Sequence, residues 1–96
     1  MPALMISEIT VKSPEKLAQY MEATQKLAAT FGAQMVARGD YAMPLTSTNP
    51  HDRVVIAKFP DIETLDRWYK SPEYAELVPL RDAASDMRMT AYSIPD

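Results

Sequence analysis

The apolar residues of this chain recur at two different spacings, and the points where the spacing changes mark the elements. Leu4 to Val11 (LMISEITV) is rich in β-formers and lies between Pro2 and Ser13-Pro14, so it reads as a strand. Met5, Ser7, Ile9 and Val11 share one face; Leu4, Ile6, Glu8 and Thr10 share the other. Apolar residues on both faces imply that both are covered. The period then becomes helical: Leu17, Tyr20, Met21, Thr24, Leu27, Ala28 and Phe31 form one stripe, with Glu15, Lys16, Gln19, Glu22 and Lys26 opposite. Ser13 caps this helix, Pro14 suits its first position, and Gly32 ends it.

Ala33 to Arg38 reads as a short strand, with Gly39-Asp40 allowing a bend or bulge after it. Residues 40–52 (DYAMPLTSTNPHD) are turn-rich and read as a loop. Arg53 to Phe59 is an almost continuous apolar run, as a central strand requires. Asp61 caps a helix lined by Ile62, Leu65, Trp68 and Tyr69. Ser71-Pro72 repeats the cap-and-proline signal, Tyr74, Leu77 and Val78 follow, and Pro79 is expected to disturb that helix before it resumes through Ala84. Met87 to Ile94 is the last strand. The order β-α-β-β-α-β, with its second helical region in two pieces, predicts a ferredoxin-like α+β fold: an antiparallel sheet with helices on one face, over a single domain of residues 1–96. The first and third strands are expected at the centre, running parallel. The uncovered face calls for a second copy of the chain, forming a dimeric α/β barrel.

Composition narrows the classes. With 96 residues the core is thin, yet 47% of the residues are hydrophobic, seven of them Met, so part of this apolar surface is expected against a partner chain. A net charge of −3 without basic clusters argues against nucleic acid as a partner. The absence of Cys excludes disulfides, thiolate metal sites and cysteine nucleophiles. No run approaches a membrane span and no signal-like N-terminus is present, so a cytoplasmic protein without membrane contact is the expectation.

Several segments resemble one family. They are Glu8-Ile9-x-Val11, Gly32-Ala33 leading into Ala37-Arg38-Gly39, Arg53-Val54-Val55 leading to Phe59-Pro60, Trp68-Tyr69-x-Ser71-Pro72-Glu73-Tyr74, and Leu80-Arg81. Together they resemble the domain-of-unknown-function family 1330 of the dimeric α/β-barrel superfamily, across nearly the whole chain. The Trp-Tyr-x-Ser-Pro-Glu-Tyr segment is the most specific piece. Two departures stand out: Asp40 replaces a usual second Gly, and Thr46-Ser47-Thr48-Asn49 replaces a Glu-Gly pair, so the loop is expected to differ in shape. The resemblance implies the fold and a homodimer whose sheets face each other. It implies no reaction, since superfamily relatives range over small monooxygenases, isomerases and haem enzymes.

The residues able to carry chemistry are few. Arg38, at a strand end beside Gly39, can clamp a carboxylate or phosphate in bidentate fashion, or pair with a local carboxylate. Trp68, Tyr69 and Tyr74 can stack on a flat apolar ligand, although Trp68 also fits the core stripe. The Tyr74 hydroxyl can point toward Arg38 or Arg81, and one cleft is expected to gather these groups. Glu8 and Lys58 lie on faces shared with apolar residues and are expected to meet inside the barrel, as a structural ion pair at the dimer seam or as a poised base. Glu8 and His51 are the weak candidates for moving a proton; His51 stands alone in a Pro-rich loop and reads first as a turn residue. Ser71 is explained by capping, and the Met residues by core filling. No histidine pair suggests a metal, and haem would need His51 as axial ligand from an unsuitable loop, so no cofactor is expected. Two functions remain open: a small-molecule-binding barrel dimer acting on a small aromatic or carboxylated metabolite without a bound cofactor, or a non-catalytic ligand-binding or dimerisation module.

Overall fold

The computed structural model describes residues 1–95. Strand β1 (Ala3–Val11) is followed by helix α1 (Pro14–Thr30), strands β2 (Gln34–Asp40) and β3 (Arg53–Phe59), helices α2 (Ile62–Tyr69) and α3 (Pro72–Ala84), and strand β4 (Ser85–Ser93). The four strands form one sheet in the order β2-β3-β1-β4. This is the ferredoxin-like α+β arrangement. β1 and β3 are central as expected, but they run antiparallel, not parallel. The reason is topological. The α1 crossover returns β2 in the direction of β1, and the β2–β3 connection then reverses the chain.

The predicted caps form. The Ser13 side chain accepts from the Lys16 N–H, Asp61 from Thr64 and Ser71 from Tyr74, each satisfying an amide that the first helical turn leaves unpaired. Phe31 caps α1, and Gly32 follows with φ of 80°. A Cβ there would stand 3.0 Å from Pro60 Cγ, so the glycine relieves both backbone and packing strain. Pro79 does not interrupt α3, which runs through it to Ala84. Pro79 is exposed, so water can satisfy the carbonyl left without a donor. β2 extends beyond the predicted Arg38 to Asp40, and its irregularity lies between Met35 and Ala37 instead of after Gly39.

Period-two alternation sorts the central strands. Ala3, Ser7 and Ile9 of β1 and Val55, Ala57 and Phe59 of β3 are buried beneath the helices. Leu4, Ile6, Val54 and Ile56 turn to the other face, and no helix covers that face among the described residues. Leu17, Tyr20, Thr24 and Ala28 carry the α1 stripe into the core, where Trp68 and Tyr74 are each 1% exposed. Met5, Met21, Met87 and Met89 pack against this core as expected of filler. Met1, Met35 and Met43 are exposed, because they sit at the terminus, the edge strand and the loop, beyond the helix layer.

The expected meeting of Glu8 and Lys58 does not occur. They share a face, but the register sets Glu8 opposite Val54 and Lys58 opposite Leu4, four residues further along β1. At about 3.4 Å per residue, that separation is beyond salt-bridge reach. Lys58 is exposed.

The core assignment of Trp68 gives a direct expectation: Trp68→Ala lowers stability by about 3–5 kcal/mol in chemical denaturation. Ser71→Ala costs about 1 kcal/mol through the lost cap. A near-neutral Trp68→Ala would contradict the packing described here.

Candidate functional site

The chemistry-bearing side chains fall into three groups. The first lies on the helix-covered side, where α2 and α3 meet β4. Asp61 and Ser71 start these two helices only ten positions apart, and the short turn between them brings Trp68, Tyr69 and Tyr74 together. Ring centroids lie 4.6 Å apart for Trp68 and Tyr74, 5.0 Å for Tyr69 and Tyr74, and 5.3 Å for Phe59 and Trp68. Ser71 locks the turn twice, donating its hydroxyl to the Trp68 carbonyl at 2.8 Å and accepting from the Tyr74 N–H at 3.2 Å.

Arg81, two helical turns beyond Tyr74, reaches back over this cluster. Its Nη1 donates to the hydroxyls of Tyr69 and Tyr74, each at 3.2 Å, and its Nε to Asp82 at 3.1 Å. Tyr20 of α1 stands 2.8 Å from the Tyr74 hydroxyl, and Tyr74 donates to Met89 Sδ at 3.3 Å. With that proton given to sulfur, the Tyr74 oxygen accepts from both Tyr20 and Arg81. Burial, then the neighbouring Tyr74, pushes the Tyr20 hydroxyl far above its ordinary pKa, so it stays a donor. Burial alone would lower the pKa of Arg81, but its bonds to Tyr74 and Tyr69 outweigh this and raise it, so the guanidinium stays charged. Among the described residues Trp68 Nε1 and, on α1, Thr24 Oγ1 are buried without a hydrogen-bond partner, and Arg81 Nη2 forms no hydrogen bond to another protein group.

An apolar groove of about 390 Å³ adjoins this cluster. Met5, Leu65, Trp68, Tyr69, Met89 and Ala91 are among its walls. Tyr69 and Met89 are shared by the groove and the Arg81 network.

The second group surrounds Arg38. This residue stands opposite Val55, on the helix side of β2. It lines a separate cleft of about 620 Å³ between α1 and the β2–β3 edge. Tyr74 and Arg81 are not part of that cleft, so the expected convergence of Arg38 with them is not seen. The register explains this: Arg38 is on an edge strand two positions from β1, whereas Arg81 faces β4 on the opposite side of β1.

The third group lies at one end of the helix-free face. Glu8 Oε1 accepts from Arg88 Nε at 3.0 Å and Nη2 at 2.7 Å, and Asn49 donates to Oε2. Arg88 and then Asn49 hold the Glu8 carboxyl below its ordinary pKa, against a smaller opposing effect of burial. A carboxylate held this way is an acceptor with low basicity. Its partner is the cross-strand Arg88, in register with it on β4, in place of Lys58. His51 lies at the loop root, with Nδ1 3.1 Å from the Thr10 hydroxyl. No group of three or more metal-ligating side chains occurs among the described residues.

Two participants escaped the sequence reading. Tyr20 looked like one more member of an apolar stripe, and only the helix packing reveals its hydroxyl partner. Arg88 carried no local signal, because its pairing with Glu8 depends on an 80-residue separation closed by the sheet.

Fold and clusters together define a small ferredoxin-like α+β protein with an aromatic-walled groove beside an arginine–tyrosine network on its helix-covered side. The chain belongs to the family described as Domain of unknown function (DUF1330), which it matches over residues 2–93. It is similar in structure to a protein of unknown function from Rhodopseudomonas palustris, with 22% identity, 99% of this chain and 83% of that one covered, and a TM-score of 0.79. It is also similar to a cofactor-independent oxygenase from Streptomyces nogalater (14% identity, 99% and 94% covered, TM-score 0.72). A third neighbour is a dimeric ferredoxin-like protein of unknown function from Thermobifida fusca (14% identity, 98% and 92% covered, TM-score 0.62). At these identities the likeness is one of fold. A search among curated proteins gives no significant match. No helix among the described residues is long and apolar enough to cross a membrane.

The Glu8–Arg88 pair has a pH signature. The lowered pKa means that the pair stabilises the fold above the ordinary carboxylate value of 4.5, and that this contribution is lost as pH falls from there through the lower folded-state value. Urea titrations of wild type and Glu8→Gln are expected to differ most near neutral pH and to converge in acid. A difference that grows on acidification would contradict the pairing.

Proposed function

We propose that the chain acts as a homodimer that binds a small, flat, largely apolar molecule in the groove between α2 and β4. Arg81 and Trp68 would hold a polar acceptor group on that molecule. The observation that carries this reading is Trp68 Nε1, buried without an acceptor, on a side chain that walls the groove next to Tyr69, which Arg81 holds. A buried donor without an acceptor is costly, and a ligand carboxylate or carbonyl would relieve that cost. The groove volume, about 390 Å³, lies within the usual range for small-molecule sites. A small aromatic acid or ketone has the required shape. The Tyr69 hydroxyl, held by Arg81, is the group best placed to contact it.

A cofactor-independent oxygenase among the structural neighbours supports a small-molecule role for this fold. Tyr69 lines the groove and is held by Arg81, which also donates to Tyr74. Glu8 and His51, the candidates for proton transfer, belong to the polar cluster on the other face of the sheet. The geometry therefore favours binding as the primary role, with any proton transfer falling to the tyrosines. The homodimer rests on the helix-free face of Leu4, Ile6, Val54 and Ile56, for which a second copy of the same face is the simplest cover. The dimeric neighbour from Thermobifida fusca supports it.

Thermal-shift screening against aromatic acids and ketones tests the site. A ligand specific for the native groove raises the Tm of wild type, and Arg81→Met together with Tyr69→Phe is expected to abolish the shift. An equal shift in the double variant would remove the groove from consideration. Sedimentation at micromolar concentration tests the assembly: wild type is expected as a dimer and Ile6→Arg as a monomer. A folded wild-type monomer of 10.8 kDa would reject the dimer.

A further inference from the structure

The Arg38 cleft is larger than the groove and separate from it, and its chemistry is different. β2 is one of the two edge strands, and all seven of its residues are exposed, so the helix layer stops short of it. The step between α1 and β2 leaves a cleft of about 620 Å³. Its floor is apolar: Ile9, Leu17 and Val55 are each less than one-tenth exposed, and Met21 adds a flexible wall. Its rim carries two arginines and two carboxylates. The carboxylates already have partners: Asp40 lies 3.5 Å from Arg53, and Glu22 lies 3.2 Å from Lys26. Arg38 forms no ion pair with a carboxylate among the described residues. One guanidinium, free of protein carboxylates, thus stands at the edge of an apolar floor.

We infer that this cleft is a second binding site, for an amphipathic monocarboxylate. The carboxylate would sit on Arg38 in bidentate fashion and the apolar tail would lie on Leu17, Met21 and Val55. The paired Asp40 and Glu22 disfavour dianions, because a second negative charge would meet carboxylates instead of donors. An uncharged ligand of the same shape would lack the Arg38 contact. The site therefore selects one negative charge with a hydrocarbon body.

Octanoate is the probe, with 1-octanol as its uncharged counterpart, in NMR titrations of the isotopically labelled full chain. Octanoate is expected to shift the amides of Leu17, Met21, Arg38, Gly39 and Val55. Octanol is expected to bind at least about tenfold more weakly, as is octanoate to Arg38→Met, the loss typical of a charge-assisted contact. Arg38→Lys, which keeps the charge but not the fork, is expected to fall between. The unperturbed spectrum of each variant reports its folding, and Arg38 is exposed on an edge strand, where substitution is tolerated. Equal octanoate affinity in wild type and Arg38→Met would overturn the inference. So would the absence of saturable binding, or shifts confined to the groove between α2 and β4.

Discussion

The register of β1 is the constraint on which the other features depend. This strand lies between β3 and β4, pairing Ala3 with both Phe59 and Ser93, and Ile9 with both Arg53 and Met87. With that register Ala3, Ser7 and Ile9 face the helices, while Leu4, Ile6 and Glu8 face away. A slip of one residue would exchange the two sets, moving Glu8 beneath the helices and Ile9 out of the core. The Glu8–Arg88 pair opposes such a slip, since the two carboxylate–guanidinium bonds form only when positions 8 and 88 are opposite each other. A mostly exposed Arg88 contributes little raw stability this way, so the value of the pair lies in specifying alignment.

The aromatic cluster is held from above by helix geometry and from below by this sheet. Trp68 lies in the last turn of one short helix and Tyr74 in the first turn of the next, and Ser71 bonds to the backbone of both residues. Helices this short have little stability of their own and depend on tertiary packing. The packing of Trp68 against Phe59 ties them to β3. Tyr74 then places its hydroxyl among Tyr20, Arg81 and Met89, joining α1, α3 and β4 through one oxygen atom. A buried polar junction of this kind is favourable only when each member has a partner, and the members facing away from the groove do. The Trp68 indole N–H, beside this junction, is buried without an acceptor.

Two clefts arise for different structural reasons. The groove between α2 and β4 exists because α2 is only eight residues long and leaves part of β4 uncovered. The Arg38 cleft exists because the helix layer ends before β2. Their linings match their positions. The first is walled by aromatic side chains that complete the core, and the second has a charged rim because its edge strand is open to water.

Local chemistry was sufficient for most of the elements. Ser13, Asp61 and Ser71 mark helix starts because their side chains bond to amides three residues away, an interaction needing no distant partner. Gly32 marks a helix end for the equally local reason of its positive φ. The clustering of Trp68, Tyr69 and Tyr74 was legible because one seven-residue stretch across the α2–α3 junction holds all three. Pairings across the sheet were not. Whether Glu8 meets Lys58 or Arg88, whether Arg38 joins Arg81, and whether β1 and β3 run parallel or antiparallel all depend on strand order and register. Those are set by the simultaneous packing of strands far apart in the chain. Pro79 makes the same point for a helix: its propensity argued for a break, and α3 continues because packing and solvent offset the one missing hydrogen bond. Sequence alone determined which residues begin, end and line each element; tertiary structure decided which of their side chains face one another, because contact requires alignment that no single segment contains.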